Sequence, residues 1–275
     1  MTMPENPTPA ERLRRAAAPD TAAARAEQPS VSVVVPAYNE EAMLPDSLTR
    51  LHDYLCTLDD SYRWELVVVD DGSSDGTGRL ADEFAAAHAR VVVHHHDENQ
   101  GLGGAVRTGF RRCTSDYLVM MDSDLSYAPD HIHPLLDTII ATGASIVVTS
   151  PYRPDAQATG VPPSRLFTSR AANRVLALAA GGGLTTLTRM VRAYDGDFAR
   201  SLDLYASGPT INCEILYRAR EQGAQVVEIP AHLDWSRLRL RGQERRSLKS
   251  VARTTASTLA IAGRFAFLRA RRPAP

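Results

Sequence analysis

The chain predicts an α/β fold built on a doubly wound, mostly parallel sheet. Three observations carry this expectation. Apolar runs of three to five residues recur, and they are continuous rather than alternating, as in strands buried on both faces. Segments of helical spacing separate them, which is the alternation of a parallel sheet. Right-handed crossovers between such strands then distribute the helices over both faces.

The elements follow in order. Residues 1–29 are rich in Ala, Pro and Arg without apolar periodicity and read as a disordered or loosely helical tail. The main domain is expected over 30–235. It opens with Val31–Val35, a β-branched strand stopped by Pro36, and a helical pattern runs from Leu44 to Leu55. Between them Asn39 reads as an N-cap, with Glu40 and Glu41 favouring the helix's positive end. Glu65–Val69 is a second strand, closed by the turn Asp70–Gly76, in which Asp75 is a plausible cap. Val91–Val93 leads to His94, His95 and His96, where consecutive strand positions point to opposite faces and so disfavour a shared metal. A glycine-rich turn, Gly101-Leu-Gly103-Gly104, opens a helix near 103–112, and the next strand ends at Asp122. Ile146–Val148 and Val226–Ile229 are further strands.

Bulk properties bound the rest. With 275 residues, 44% of them hydrophobic, the chain can bury one large core with appendages. Cys56, Cys113 and Cys213 lie far apart without metal spacing, which argues for a reducing compartment rather than a disulfide framework. No apolar signal core opens the chain, and no 18-residue apolar run suits a membrane span. The net charge is −1, yet residues 237–275 hold eleven basic side chains against Glu244 alone, a local +10. Leu248, Val251, Thr255, Leu259 and Ala262 share a helical face there, so 236–275 reads as a basic amphipathic segment. It fits a membrane surface through 237–272 and fits equally a helix packed on the domain with its charges in water. No nucleic-acid partner is expected.

Asp122-Ser123-Asp124 ends the most informative apolar run. Two carboxylates at the carboxyl edge of an open α/β sheet suit Mg²⁺ or Mn²⁺ holding a diphosphate. The plainer alternative is a strand-end turn with Asp124 as a cap. Gly101-x-Gly103-x-x-Val106 lacks the third glycine of a dinucleotide fingerprint, so that function is not implied.

The succession of motifs goes further. Strand-PAYNE (36–40), strand-DDGSSDGT (70–77), GLGGAVRTGF (101–110) and strand-DSDLS (122–126) resembles the family 2 glycosyltransferases of the GT-A fold. Ser169–Arg174, Val191–Tyr194, Glu214–Arg220 and Glu228–Pro230 are similar to the dolichol/polyprenyl-phosphate mannosyltransferase branch, and the likeness spans about 31–235. The resemblance implies a metal-dependent transferase moving mannose or glucose, with inversion, from a GDP- or UDP-linked donor to polyprenyl phosphate. Pro36, Ala37, Tyr38, Glu40, Val68, Asp70, Asp71, Gly101 and Arg153 would line the nucleotide-sugar pocket, with Ser123 and Ser126. Asp124 and Asp122 would hold the metal and, with Arg192, form the catalytic set. Arg165, Ser169, Arg170 and Asn173 would bind the acceptor phosphate. The glycine turn would let backbone approach the nucleotide sugar. An ionised phosphate acceptor needs no general base, and Asp195 and Glu214 are the carboxylates available if one is used. The implied location is the cytoplasm, peripheral at the inner membrane face if the basic segment is interfacial.

This chain also departs from the branch. An Arg-Tyr pair after the fifth strand becomes Pro151-Tyr152, with Arg153 displaced by two positions, and an Asp-x-Thr-Ser-Gly-Phe-Arg loop becomes Thr186–Arg192, with Arg189 at the serine position. The closing segment becomes Asp234–Arg237 followed by Gly242–Ser247. A soluble specialised-metabolite acceptor is the same-chemistry alternative, and an inactive nucleotide-sugar-binding module the alternative from another class.

Overall fold

The computed structural model describes residues 28–180 and 183–236, with the single positions 260 and 263. Nearly all of the expected tail, 1–29, and of the basic segment, 236–275, lies outside these residues.

Seven strands form one sheet in the order β3-β2-β1-β4-β7-β5-β8. They are β1 (Ser30–Ala37), β2 (Arg63–Asp70), β3 (Val91–His95), β4 (Tyr117–Met120), β5 (Ile146–Ser150), β7 (Arg192–Asp195) and β8 (Val226–Pro230). Two short strands, β6 (Gln157–Thr159) and β9 (His232–Asp234), pair separately. All neighbours in the large sheet are parallel except β7, which runs antiparallel between β4 and β5. The fold is the expected α/β architecture with a mostly parallel sheet.

Helices cover both faces. They are α1 (Leu44–Cys56), α2 (Thr77–Ala87), α3 (Leu102–Arg112), α4 (Ile132–Thr142), α5 (Pro163–Ala180), α6 (Gly196–Ser201) and α7 (Ile211–Glu221). The pleat of β1 divides the core. Val31, Val33 and Val35 pack on one side with Leu44, Leu48, Leu51 and Leu55 of α1 and Leu135, Leu136 and Ile139 of α4. Val34 packs on the other with Ala105, Val106 and Phe110 of α3 and Ile211 and Ile215 of α7. Each buried leucine contributes about 1.5–3 kcal/mol relative to an exposed one.

Some boundaries differ from expectation. β3 runs on to His95, and β4 stops at Met120, although the Met121 N–H still donates to the Val34 carbonyl at 2.9 Å. Asn39 is not the cap of α1: Met43 holds that place, with proline in the first turn. Asn39 instead takes a left-handed conformation, φ 52°, and its side-chain oxygen accepts from the Ser74 N–H at 2.9 Å. The short polar side chain ties the β1 exit to the β2 exit rather than starting a helix.

Candidate active site

The chain steps outward from β1 through β2 to β3, and α3 then carries it across the opposite face to β4. The connections leaving the carboxyl ends of β1 and β4 therefore diverge, which opens a crevice at this switch point. Pro36 and Ala37 end β1 and are buried, while Tyr38 beyond them is 46% exposed at the rim. Asp122, Ser123 and Asp124 lie just past β4, all partly buried.

Ser126 organises the two carboxylates. Its N–H donates to Asp124 Oδ1 at 2.8 Å, and its hydroxyl hydrogen-bonds Asp122. The turn is tight: Leu125 has φ 49°, and its N–H donates to the Asp122 carbonyl at 3.1 Å. Burial raises the Asp122 pKa well above the usual carboxylate range, and the Asp124 charge adds to this; Arg189 and Ser126 oppose it. A carboxylate pair that resists double ionisation in this way is relieved by a hard divalent cation. Among the described residues no third His, Cys, Asp or Glu joins them. The donor set therefore fits an ion whose remaining ligands are water and phosphate oxygens, as Mg²⁺ and Mn²⁺ accept.

The antiparallel strand shapes the far wall. Arg192 opens β7 opposite Met120, so the preceding loop, 185–191, arrives at the carboxyl edge beside Asp122. Four groups hold that loop. Glu228 accepts from the Thr185 N–H at 2.9 Å and the Thr186 N–H at 3.0 Å. Asn173 Oδ1 accepts from the Leu187 N–H at 2.8 Å, and its Nδ2 donates to the Ser169 carbonyl at 2.9 Å. Arg192 is fully buried and donates to the carbonyls of Leu187 and Asn212, both at 2.9 Å. Ser150 pairs with the Thr185 hydroxyl at 2.6 Å. Asn173 and Arg192 thus position the loop through these hydrogen bonds, while Arg192 Nε is buried without a partner. The physical reason is orientation: α5 turns position 173 inward, and β7 turns position 192 under the loop.

The β2 exit is equally committed. Asp70 accepts from the Ser73 N–H at 3.1 Å and contacts His95 Nδ1 at 2.9 Å. Asp71 contacts His96 Nδ1 at 2.7 Å and accepts from the Gln100 N–H at 3.0 Å. The histidine run therefore divides between two carboxylates on opposite sides, and the hydrogen bond to Asp70 raises the His95 pKa against its partial desolvation. The Glu40 N–H donates to the Thr77 hydroxyl at 2.7 Å, and Asp75 Oδ1 accepts from the Thr77 N–H at 3.0 Å. The Val68 side chain is fully buried in the core. It faces a helix because β2 is covered on both faces.

Gly101 and Gly103 pack closely against the chain's own 206–207 segment. Gly101 has φ 76°, and the Gly103 N–H donates to the Ser207 carbonyl at 2.7 Å. A Cβ at Gly103 would overlap the carbonyl oxygen of Ala206. Gly103→Ala is expected to cost about 1–3 kcal/mol, read as a lower melting temperature. Glu214 accepts from the Ala206 N–H at 2.8 Å, and Asp195 caps α6 through the Phe198 N–H at 2.8 Å. Both carboxylates weighed as a base are structurally occupied.

On the side of β5, Tyr152 donates to the Ser169 hydroxyl at 2.6 Å. The Arg165 guanidinium lies 3.8 Å from the centre of the Trp235 ring, a cation–π contact. Arg153 and Arg170 are exposed.

The family described as Glycosyl transferase family 2 matches residues 32–197. The chain belongs to glycosyltransferase family 2. This glycosyltransferase is 38% identical over 230 residues to the polyprenol monophosphomannose synthase of Mycolicibacterium smegmatis, covering 81% of this chain and 83% of that one. It is 35% identical over 206 residues to the undecaprenyl-phosphate mannosyltransferase of Micrococcus luteus, covering 73% and 82%. These relatives support the polyprenyl-phosphate mannosyltransferase-like branch. The glucosyl-3-phosphoglycerate synthase of Mycobacterium tuberculosis, solved with Mn²⁺, UDP and glucosyl-3-phosphoglycerate, shares the fold with a TM-score of 0.59. It is 23% identical and covers 88% of this chain and 82% of that one.

Sequence reasoning passed over two residues of the glycosyltransferase's crevice wall. Glu228 carries the 185–186 backbone, and its only signal was membership of a Glu-Ile-Pro motif. Arg189 stands beside Asp122 and hydrogen-bonds Tyr152. Its signal was a departure from the motif.

Proposed function

We propose that this glycosyltransferase moves mannose from a nucleoside diphosphate-mannose to a polyprenyl phosphate, by direct displacement at the anomeric carbon with inversion. The observation that carries the reading is the Asp122/Asp124 pair at the switch point, in a chain whose relatives are named for polyprenyl-phosphate mannosyl transfer. Asp124 and Asp122 would hold Mg²⁺ or Mn²⁺, which when bound neutralises charge on the leaving diphosphate.

The protein's own groups do the rest. Ser126 hydrogen-bonds both carboxylates, through its N–H to Asp124 and its hydroxyl to Asp122. Asp70 and Asp71, braced by His95 and His96, present acceptors for the base or ribose at the exit of β2. Tyr38 and Glu40 flank the nucleotide from the exit of β1. The incoming phosphate is already ionised, which agrees with Asp195 and Glu214 being occupied elsewhere. Arg165, Arg170 and Ser169 line its approach, with Arg153 nearby in sequence on the β5 exit; arginine suits phosphate through its planar fork. No helix among the described residues is long and apolar enough to cross a membrane, so a membrane position would rest on the basic stretch 237–272.

The test is a thermal-shift panel of GDP- and UDP-sugars with Mn²⁺, followed by turnover with short polyprenyl phosphates. Stabilisation by a mannose donor and transfer to the lipid phosphate support the reading. Mn²⁺-dependent nucleotide binding with transfer only to a soluble acceptor would replace it with the soluble-acceptor alternative, and binding without turnover on any acceptor would favour the inactive module.

A further inference from the structure

We propose that Arg189 is a phosphate-binding residue of this enzyme, supplied from a loop position where the matched motif carries serine. The inference deepens the function proposed above and rests on it for the identity of the phosphate.

Arg189 sits where the 185–191 loop meets the carboxyl edge of the sheet. It interacts electrostatically with Tyr127, Tyr152 and Asp122, of which Asp122 carries the charge. It hydrogen-bonds Tyr152, a neutral group, and its Nε is buried with no hydrogen-bond partner. A guanidinium carries five N–H donors and cannot discard its charge. Leaving such donors unmet in a partly buried site is costly, and the cost is recovered when an anion enters. Arg189 as a whole is half-buried, with its Nε on the interior side.

The surroundings select the kind of anion. Asp122 and Asp124 already crowd negative charge into the crevice, so a lone carboxylate ligand would be repelled. A phosphate bridged to those carboxylates by a divalent cation meets both conditions, and its oxygens match the guanidinium fork. The loop is also held rigidly enough to present the group. Glu228, Asn173 and Arg192 fix its backbone at Thr185, Thr186 and Leu187. Two substitutions against the branch pattern meet at this spot. Position 151 carries proline, with an arginine two residues on at 153, and position 189 carries an arginine that hydrogen-bonds Tyr152.

The phosphate is either the leaving diphosphate or the acceptor's, and two measurements on the full-length protein separate them. The variant is Arg189→Ser, which installs the residue of the matched motif; an unchanged melting temperature without ligand certifies its fold. Calorimetric titration with GDP and with UDP in Mn²⁺, without acceptor, reads the leaving group. The KM for a short polyprenyl phosphate at saturating donor reads the acceptor. A loss of roughly ten- to a hundredfold is expected in one of the two, the range of a charged hydrogen bond. Arg189→Lys, which keeps the charge without the fork, is expected to fall between. A weakened nucleotide titration assigns the diphosphate; a raised KM with an intact titration assigns the acceptor phosphate. A folded Arg189→Ser protein with both values unchanged would overturn the proposal. If the wild-type protein turns over no polyprenyl phosphate, the function reading fails instead. Arg189 is then judged by the nucleotide titration and by competition from inorganic pyrophosphate, and no difference from Arg189→Ser in either would overturn it.

Discussion

Replacing Asp124 by alanine is expected to lower sugar transfer by about a hundred- to a thousandfold or more, the scale on which one preorganised charge-stabilising group acts. The same variant should lose Mn²⁺-dependent stabilisation by nucleotide in a thermal-shift assay. Its fold should survive, because the carboxylate's structural duty is a single hydrogen bond from the Ser126 N–H, worth about 1 kcal/mol. Asp124→Asn is the informative companion. It keeps an acceptor for that N–H but removes the charge that a divalent ion needs, so it should retain the melting temperature of the wild type and share the catalytic loss. Removing Asp124 also takes away part of what pushes the Asp122 carboxyl upward, leaving burial as the main cause. A fully active alanine variant would detach the pair from the chemistry and return Asp122-Ser123-Asp124 to a strand-end turn.

Much of this arrangement was legible because it is local in the chain. β1 and β2 announce themselves as continuous β-branched runs, and burial on both faces removes any competing amphipathic pattern. The Asp122/Asp124 pair was equally visible, since a motif at a strand end carries its position with it. β7 was not read as a strand. Arg192-Ala-Tyr-Asp has a charge at each end, and it becomes a central strand through antiparallel pairing with β4 and β5, partners distant in sequence. The orientation of several side chains was not legible. Whether Asn173, Arg192 or Val68 faces the crevice or the interior depends on how α5, β7 and β2 are packed, and a motif match does not encode that orientation. Asn39 shows the same limit at shorter range: its composition suits an N-cap, but the crossing of two loops recruited its side chain first. The glycine turn is a different case. Glycine marks a close approach of backbone, and the partner turned out to be the chain's own 206–207 segment.

Arg192 supplies the second large effect, and its sign separates a positioning residue from a catalytic one. Its side chain is fully buried, and NH1 and NH2 each donate to a main-chain carbonyl, one in the loop and one in α7. Arg192→Met keeps the apolar stem but removes the two charge-assisted hydrogen bonds to the carbonyls of Leu187 and Asn212. At about 1.5–3 kcal/mol for each hydrogen bond to a charged group, partly offset by the carbonyls' remaining partners, the expected loss of stability is about 2–5 kcal/mol. At about 2–4 °C per kcal/mol for a domain of this size, the melting temperature should fall by roughly 5–15 °C. Activity should fall with it, since the loop that carries Arg189 loses one of its anchors. Arg192→Lys should recover little, because one ammonium cannot span two carbonyls that a guanidinium bridges. The deciding comparison is between melting temperature and turnover below the transition. A variant that melts like the wild type yet transfers no sugar would mean that Arg192 touches substrate after all. A variant that melts early, and regains donor affinity when cooled, would place its contribution in holding the 185–191 loop against the carboxyl edge.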